Sequence, residues 1–398
     1  MKMSIVTIPR EIQLLIFEQL KVIDLVRVSE SCHRLKDVAR DPSFWKKLTL
    51  TYERIKNKTE ACRSHVSRCS SLREIVITGE EKGIRSDKIM TVLMKAKNTL
   101  TSISLSPSFA GLSNSSIEKI GKMTQLTHLA VGGDKIGLGG ISALACLSEL
   151  RTLKVHKIVC GNDTDIPMAV LVDLFSKLKN LEKVEIKMNG TSTAPSDEVV
   201  KSLLNNNPNL HHLDITPTGL VVYPDINELS SKSLLLIADK CPQLTHIGIG
   251  HLKSLSDISI IKLVTNCPKL KHANFENTNF NDTALALMSK NCPDLEYLNI
   301  DGDWNVTEEA LEKFANPATT ANLKQLCVRK FFFSRQFPER LRQKLPNVQI
   351  NIEDHDYEDS SEEDSNDSIY GGDYLDDYVD YDGDYYGDYY GYYYGDYY

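Results

Sequence analysis

An aliphatic signature, L-x-x-L-x-L with Ile and Val allowed in place of Leu, begins at Leu72, Leu100, Leu126, Leu150, Leu181, Leu210, Leu244, Leu270, Leu295 and Leu323. Successive copies lie 24 to 34 residues apart, a spacing that fits one strand and one returning helix per copy. A unit that small cannot bury its apolar face alone, so the copies must stack into a solenoid around one shared core. Alternation along each strand sends the signature aliphatics inward and leaves the residues between and beside them on the concave surface of a parallel sheet. The fold class expected is α/β, a leucine-rich-repeat horseshoe.

The copy from Leu270 to Leu295 shows the plan of one unit. Leu270 to Phe275 supplies the strand, Asp282 is placed to cap a helix, Leu285 and Met288 form its buried stripe, and Pro293 stops it. The junction Cys-Pro-x-Leu recurs at Cys241, Cys267 and Cys292. It resembles the cysteine-containing subtype of leucine-rich repeats, with the thiols as small buried packing residues. Three gaps are long and loop-rich, as in Asn189 to Pro195 and Thr216 to Gly219. The run from Glu339 to Pro346 reads as a terminal capping helix after the last copy.

Charge divides the chain differently. Residues 353–398 hold 17 of the 54 acidic residues, 14 of the 17 tyrosines and no Lys or Arg, which leaves 46 cationic against 37 acidic residues in 1–352. With almost no aliphatic residues, that tail cannot offset its ordering entropy and is expected to be disordered. The nine cysteines are dispersed with no C-x-x-C pair, so neither a zinc ribbon nor a disulfide framework is indicated. No secretory signal opens the chain and no stretch approaches the ~20 apolar residues of a membrane helix. The expected location is cytosol or nucleus, with no membrane association.

The first fifty residues have a separate logic. Pro9 stands at a helix start, Ile12, Ile16 and Leu20 recur at i, i+4 and i+8, Asp24 is placed to cap a second helix through Leu25 and Val28, and Asp41-Pro42-Ser43-Phe44-Trp45 closes the unit. A helical unit of this size is too small for a full core and has apolar residues to spare for a partner. The run Ile8-Pro9-x-Glu11-Ile12, Ile16-Phe17, Leu20, Asp24-Leu25, Val28, Cys32, Asp41-Pro42 and Trp45-x-x-Leu48 resembles an F-box. Its pairing with cysteine-type repeats is similar to the F-box/leucine-rich-repeat family. One departure is Leu35, where that family often has Trp three residues after the Cys.

The resemblance implies an F-box over 5–50, repeats with their cap over 51–352, and the tail over 353–398. It further implies docking on a Skp-type adaptor carried by a cullin–RING scaffold, while the repeats hold a protein substrate for ubiquitin transfer and proteasomal degradation. Carried over by position, Pro9, Ile12, Ile16, Leu20, Leu25, Val28 and Trp45 form the adaptor contact or its immediate support. A plain leucine-rich-repeat scaffold or inhibitor, without ubiquitin chemistry, is the alternative.

No Walker glycine loop, G-x-S-x-G, H-E-x-x-H, or HECT-like or RING-like cysteine pattern occurs. The chain therefore reads as a non-catalytic subunit with no cofactor. The excess charge of the body is diffuse, and Arg329-Lys330-Phe331-Phe332-Phe333 precedes the terminal helix, so nucleic acid is disfavoured as a partner. On the concave face Thr152, Lys154 and His156 lie beside Lys183, Glu185 and Lys187, a cationic patch suited to an acidic or phosphorylated substrate segment, with a plain solvated polar face as the alternative. His128, His212, His246 and His272 fall at one strand position with Tyr297 next in line. A metal would need these ligands to converge on one ion, which leaves ordinary polar surface or a substrate-contacting ridge; unperturbed imidazoles there would titrate between about pH 5.5 and 7.5.

Overall fold

Stacking of the repeats is realised as a single parallel sheet. The computed structural model describes residues 5–20, 22–51, 71–78, 90, 93–106, 112–132, 137–158, 168–188, 195–217, 229–328, 333–334 and 336–352. The chain divides into two units, Met1–Asp354 and His355–Tyr398, and all described residues belong to the first. The acidic tail, most of the loop-rich inserts and the run 329–332 fall outside the described residues.

Twelve strands lie side by side in chain order: β1 (Lys47–Thr51), β2 (Glu74–Thr78), β3 (Ser102–Leu105), β4 (His128–Gly132), β5 (Thr152–Ile158), β6 (Lys183–Met188), β7 (His212–Asp214), β8 (His246–Gly248), β9 (His272–Asn274), β10 (Tyr297–Asn299), β11 (Gln325–Cys327) and β12 (Gln349–Asn351). The register explains the signature. Leu153 faces Val184, which faces Leu213, then Ile247, Ala273, Leu298 and Leu326, and every one of them is buried. A second buried row runs through Val155, Ile186, Ile215, Ile249, Phe275 and Ile300, and the leading leucines from Leu72 to Leu323 form a third. Each such side chain is worth about 1.5–3 kcal/mol in place of exposure. Two strands, β1 and β12, lie outside the ten sequence copies.

The helices cover the buried side of the sheet: after α1 (Arg10–Glu18), α2 (Val22–Ser31) and α3 (His33–Ala39) come α4 (Asn114–Ile120), α5 (Leu138–Leu144), α6 (Met168–Lys177), α7 (Asp197–Asn206), α8 (Ser231–Lys240), α9 (Asp257–Asn266), α10 (Asp282–Asn291), α11 (Glu308–Phe314) and α12 (Phe337–Lys344). Asp282 is not the cap of α10. That role belongs to Asn281, whose side chain accepts from the Ala284 amide, because Asp282 is already helical and reaches sideways instead. Its carboxylate accepts from the amide and hydroxyl of Thr307, both at 2.8 Å, at the cap of the next helix. The same sideways bond joins Asn114 to the Gly137 amide (2.6 Å), Asp197 to Ser230 (2.8 Å) and Ser231 to Ser256 (2.8 Å). At these four steps a helix start thus helps to satisfy an amide at the start of its neighbour.

The junctions behind the helices form a second ladder. The Cys267 thiol points at the Cys241 carbonyl (3.4 Å) and the Cys292 thiol at the Cys267 carbonyl (3.7 Å). Burial pushes the three thiols up, Cys241 to about 11 and Cys267 and Cys292 to about 12, so they stay protonated and inert. One repeat earlier Asn207 takes this place, accepting from the Leu181 amide at 2.7 Å and donating to the Leu178 carbonyl at 2.9 Å.

At the N-terminal end the helical unit merges with the sheet. Asp24 does not cap α2, which begins two residues earlier; its carboxylate pairs with Arg27 in the first turn (3.0 Å). Phe17, Leu25, Leu35, Val38 and Trp45 are buried in the same continuous core as the repeats, and the Trp45 indole donates to the Ala39 carbonyl at 2.9 Å. Leu35 therefore fills an interior position. Strand β1 follows Trp45 at once, and the Lys46 carbonyl accepts the Arg73 and Glu74 amides at 2.8 and 2.9 Å. At the other end Arg340 of α12 grips Glu308 (2.8 Å) and Glu312 (2.9 Å) of α11. The capping helix does not end the array, since β12 follows it and pairs with β11.

Asp197 shows how much one sideways bond carries. It accepts from the Ser230 amide, the Ser230 hydroxyl (2.5 Å) and the Ser233 hydroxyl (2.6 Å). Replacing Asp197 by Ala should lower the unfolding free energy by about 2 kcal/mol, read from urea denaturation, because the half-buried donors of Ser230 and the buried hydroxyl of Ser233 lose their acceptor. An unchanged midpoint would show that the ladder is incidental to stability.

Candidate functional site

Two surfaces are left after the core is built. The first is on α1. Pro9 precedes the helix and its carbonyl accepts the Ile12 and Gln13 amides, each at 3.1 Å. Gln13 and Phe17 face inward, with the Gln13 amide group donating to the Ile5 carbonyl (2.8 Å) and Phe17 tilted against Phe44. The opposite face is apolar and open: Ile12 is 46% exposed, Leu15 60% and Ile16 39%. Pro9 is also exposed, Leu20 and Val28 are half-buried, and Leu25 and Trp45 are interior. The adaptor candidates thus separate into an outward set of Pro9, Ile12 and Ile16 and a set that supports it from behind. Leu15 was missed because residues 14–17 are apolar at every position, which hides the helical period.

The second surface is the face of the sheet away from the helices. Glu185 is its electrostatic centre, 2.7 Å from the Lys154 ammonium, 2.7 Å from His212 Nε2 and 3.5 Å from His156 Nε2. Burial by itself would raise this carboxyl, but the donors on His156 and His212 and the charge of Lys154 outweigh it and hold the pKa far below the usual carboxylate range. Lys187 is equally engaged, 3.3 Å from Asp214. Lys183 is exposed at the edge of this group. The structure therefore brings Lys154, His156, Lys187 and His212 together as a largely neutralised network rather than a bare cationic patch.

The histidine column is a stack. His212 and His246 have ring centroids 4.5 Å apart, His246 and His272 4.3 Å, and His272 and Tyr297 5.9 Å, all near-parallel. His128 is excluded, separated from His212 by Thr152 and Lys183 in the register. Burial, with repulsion from His212, His272 and Lys183, drives His246 down to about 3. Burial also lowers His272, against the pull of Glu296. His246 therefore does not titrate in the window of a free imidazole. Among the described residues no three His, Cys, Asp or Glu side chains are grouped as a metal site would need. Beside the stack, Asp214, Asn274 and Asn299 each accept from the amide two residues on, ending their strands in Asx turns. At Gly248 an added Cβ would collide with the Asp214 carboxylate, which leans over it. An open polar cleft of about 440 Å³ beside the starts of α9 and α10 is lined by Ser256, Asp257, Asn279, Asn281 and Asn305, but Ser256 and Asn281 are spent as caps and Asn279 on the Lys253 and Leu255 carbonyls.

Residues 5–51 match the F-box-like family. The F-box-like domain thus ends within β1, inside the sheet. The repeats are related by fold to a chain of the crystal structure of the Rad7 and Elc1 complex in yeast, at a TM-score of 0.57 and 16% identity over 86% of this chain and 92% of that one. A further solved structure, PEPR1–AtPEP1, aligns at a TM-score of 0.32 and 12% identity over 76% of this chain and 40% of that one. No curated protein matches the sequence. The architecture is therefore an F-box-like helical domain continued by a solenoid of strands and helices, and among the described residues no helix is long and apolar enough to cross a membrane.

The buried ionisable groups near this face predict opposite pH effects. The folded chain keeps His246 neutral while the unfolded chain protonates it below about pH 6.5, so its share of stability is complete above that pH and is lost toward about 3. After allowance for partial exposure, the loss should be roughly 1 kcal/mol near pH 5.5, and His246→Phe, which keeps a ring in the stack, should remove that part of the acid sensitivity in melting scans. Asp303 behaves the other way. Burial raises it to about 8 despite donation from the Thr278 amide and hydroxyl, and among the described residues its Oδ2 has no hydrogen-bond partner. An unfolded carboxyl ionises near 3.8, so stability declines as pH rises from there to about 8. Asp303→Asn should abolish that decline in the same scans.

Proposed function

We propose that this chain is the substrate-recognition subunit of a Skp–cullin–F-box type ubiquitin ligase. The observation that carries this reading is the exposed apolar face of Ile12, Leu15 and Ile16 on an F-box-like domain whose last residues are a strand of the sheet. Exposed aliphatics of this size, with an unchanged core behind them, suit a Skp-type adaptor docking on α1. The fold likeness to a chain of the Rad7 and Elc1 complex supports the idea that this architecture works together with a second protein. The cullin–RING scaffold follows from the adaptor.

The other surface, the open face of the sheet from Lys154 and His156 on β5 through Lys183 and Lys187 on β6 to the stack ending at Tyr297, receives the protein substrate. Because the domain and the sheet share one continuous core, adaptor and substrate are held on a common rigid frame. The chain's part in ubiquitin transfer is then proximity: it raises the local concentration of substrate near the conjugating enzyme and performs no bond chemistry itself.

The test separates docking from folding. The variant Ile12→Ser/Leu15→Ser/Ile16→Ser should retain the parent's melting transition, since these side chains are exposed, and lose capture of a purified Skp-type adaptor by about a hundredfold, the scale of two hot-spot residues. Undiminished capture by the folded variant overturns the docking face. Failure of the parent chain to capture any Skp-type adaptor favours a scaffold without ubiquitin chemistry.

A further inference from the structure

The open face of the sheet changes character after β7. On β5 to β7 the outward positions carry charge, with Lys154 and Lys187 spent on Glu185 and Asp214. From β8 to β12 the register puts only His, Gly, Asn, Tyr, Gln and Cys at the outward positions, and no Lys, Arg, Asp or Glu. Charge returns at the rims: Lys271, Glu296 and Lys324 stand at the entry to these strands, Glu276 and Asp301 in the turns that leave them. Both of these lysines pair with Glu296, at 3.7 and 2.6 Å. Glu276 holds the Asn299 side-chain nitrogen and His251, at 3.1 and 3.4 Å.

What the strip offers a ligand is uncharged hydrogen bonding. Asn274 uses its side-chain oxygen on the Glu276 amide, and among the described residues its side-chain nitrogen has no partner, nor have the ring nitrogens of His272. Farther along, the side-chain nitrogens of Gln325 and Asn351 both point at the Cys327 thiol, at 3.6 and 3.7 Å. Sulfur is a weak acceptor, so a peptide carbonyl placed there would give the Asn351 donor a stronger bond.

Isolated charge of either sign is disfavoured on the same strip. Burial, with repulsion from His212, His272 and Lys183, keeps His246 neutral, and burial pushes the Cys327 thiol up to about 11. A docked chain strips off more water. A Lys or Asp side chain laid across the middle of the strip would find no opposite charge there to offset its desolvation, whereas Ser, Thr, Asn, Gln and Tyr lose less and meet donors and acceptors.

We infer that the strip over β8 to β12 receives an uncharged, hydroxyl- and amide-bearing extended segment of the partner protein. This deepens the reading of the open face as the substrate surface and rests on it. Crossing from β8 to β12 covers four steps of ~4.8 Å, or roughly six residues of extended chain at ~3.3 Å each, so the determinant is a short linear segment.

The test pans a displayed library of random twelve-residue peptides on the purified full chain and compares each selected peptide on Asn274→Asp/Asn351→Asp. This variant keeps the shape of the strip and the acceptor for the Glu276 amide but adds two carboxylates. Peptides drawn to the acidic residues 353–398 bind both proteins alike and are set aside. The expected survivors lack Lys, Arg, Asp and Glu over a central run of about six residues, bind the variant about tenfold more weakly, and bind the parent almost equally at low and high salt. Survivors that carry Lys or Arg and bind the variant more tightly, or that carry Asp or Glu and leave the parent as salt rises, overturn the uncharged class and keep the open face as the site. Peptides that ignore the variant yet weaken on Lys183→Gln overturn the strip and move the site to the charged half of the same face. If no selected peptide responds to either variant, or none is selected, the open-face site fails as well. Asn351→Asp alone, read against the same peptides, decides the matter if the double variant melts early.

Discussion

Lateral burial holds this molecule together. No repeat owns a core; each strand contributes one aliphatic to each of three rows, and the row is dry only because the next repeat supplies the next member. Ala273 sits between Ile247 and Leu298 in such a row, and Phe275 and Phe280 pack together at 4.9 Å in the same repeat, so the fill varies while the register does not. The parallel register, the sideways caps and the thiol-to-carbonyl ladder all repeat at the pitch that this burial sets. The same constraint draws in the F-box-like helices, because β1 completes the rows at their N-terminal end.

Once every repeat has committed its inward side chains, function is confined to what cannot turn inward. On α1 that is the face opposite Phe17, and on the sheet it is the alternate residues. The two surfaces differ in kind. The helix face is apolar and without charge pairing among Ile12, Leu15 and Ile16, whereas the sheet face is an ordered polar network whose charges were balanced before any ligand arrives. Glu185 illustrates the second kind: three neighbouring donors make its ionised form the stable one, and removing it would strand the lysine and histidines that depend on it.

Burial tunes these polar groups in opposite senses according to their partners. Glu185 and Asp303 are both buried carboxyls. The first is surrounded by cations and imidazoles and stays charged; the second has Thr278 as donor and Asp301 nearby, and favours its proton. Among the rings, stacking excludes water from His246 and leaves it neutral beside Lys183. A sheet face that reads as basic from its lysines is thus largely neutralised where Glu185 and Asp214 meet Lys154 and Lys187.

The repeat period, the inward rows and the apolar excess of the first helices were legible in the sequence, because each depends on spacing along one chain and on a burial rule that needs no partner. Trp45 and Leu25 could be named as part of the adaptor unit, yet only packing showed that they lie behind the face formed by Ile12, Leu15 and Ile16. Helix starts were read one residue out at Asp282 and three at Asp24, since capping residues and sideways acceptors are the same side-chain types and differ only in which amide lies within reach. The histidine column was visible as a recurrence, but its stacking and the lost basicity of His246 come from neighbours 25 or more residues away in the chain. Charge compensation is the clearest case: Lys154 and Glu185, or Lys187 and Asp214, become partners only when parallel strands set them side by side, so the sequence by itself determined which charges the sheet would carry and the tertiary structure alone decided which of them cancel.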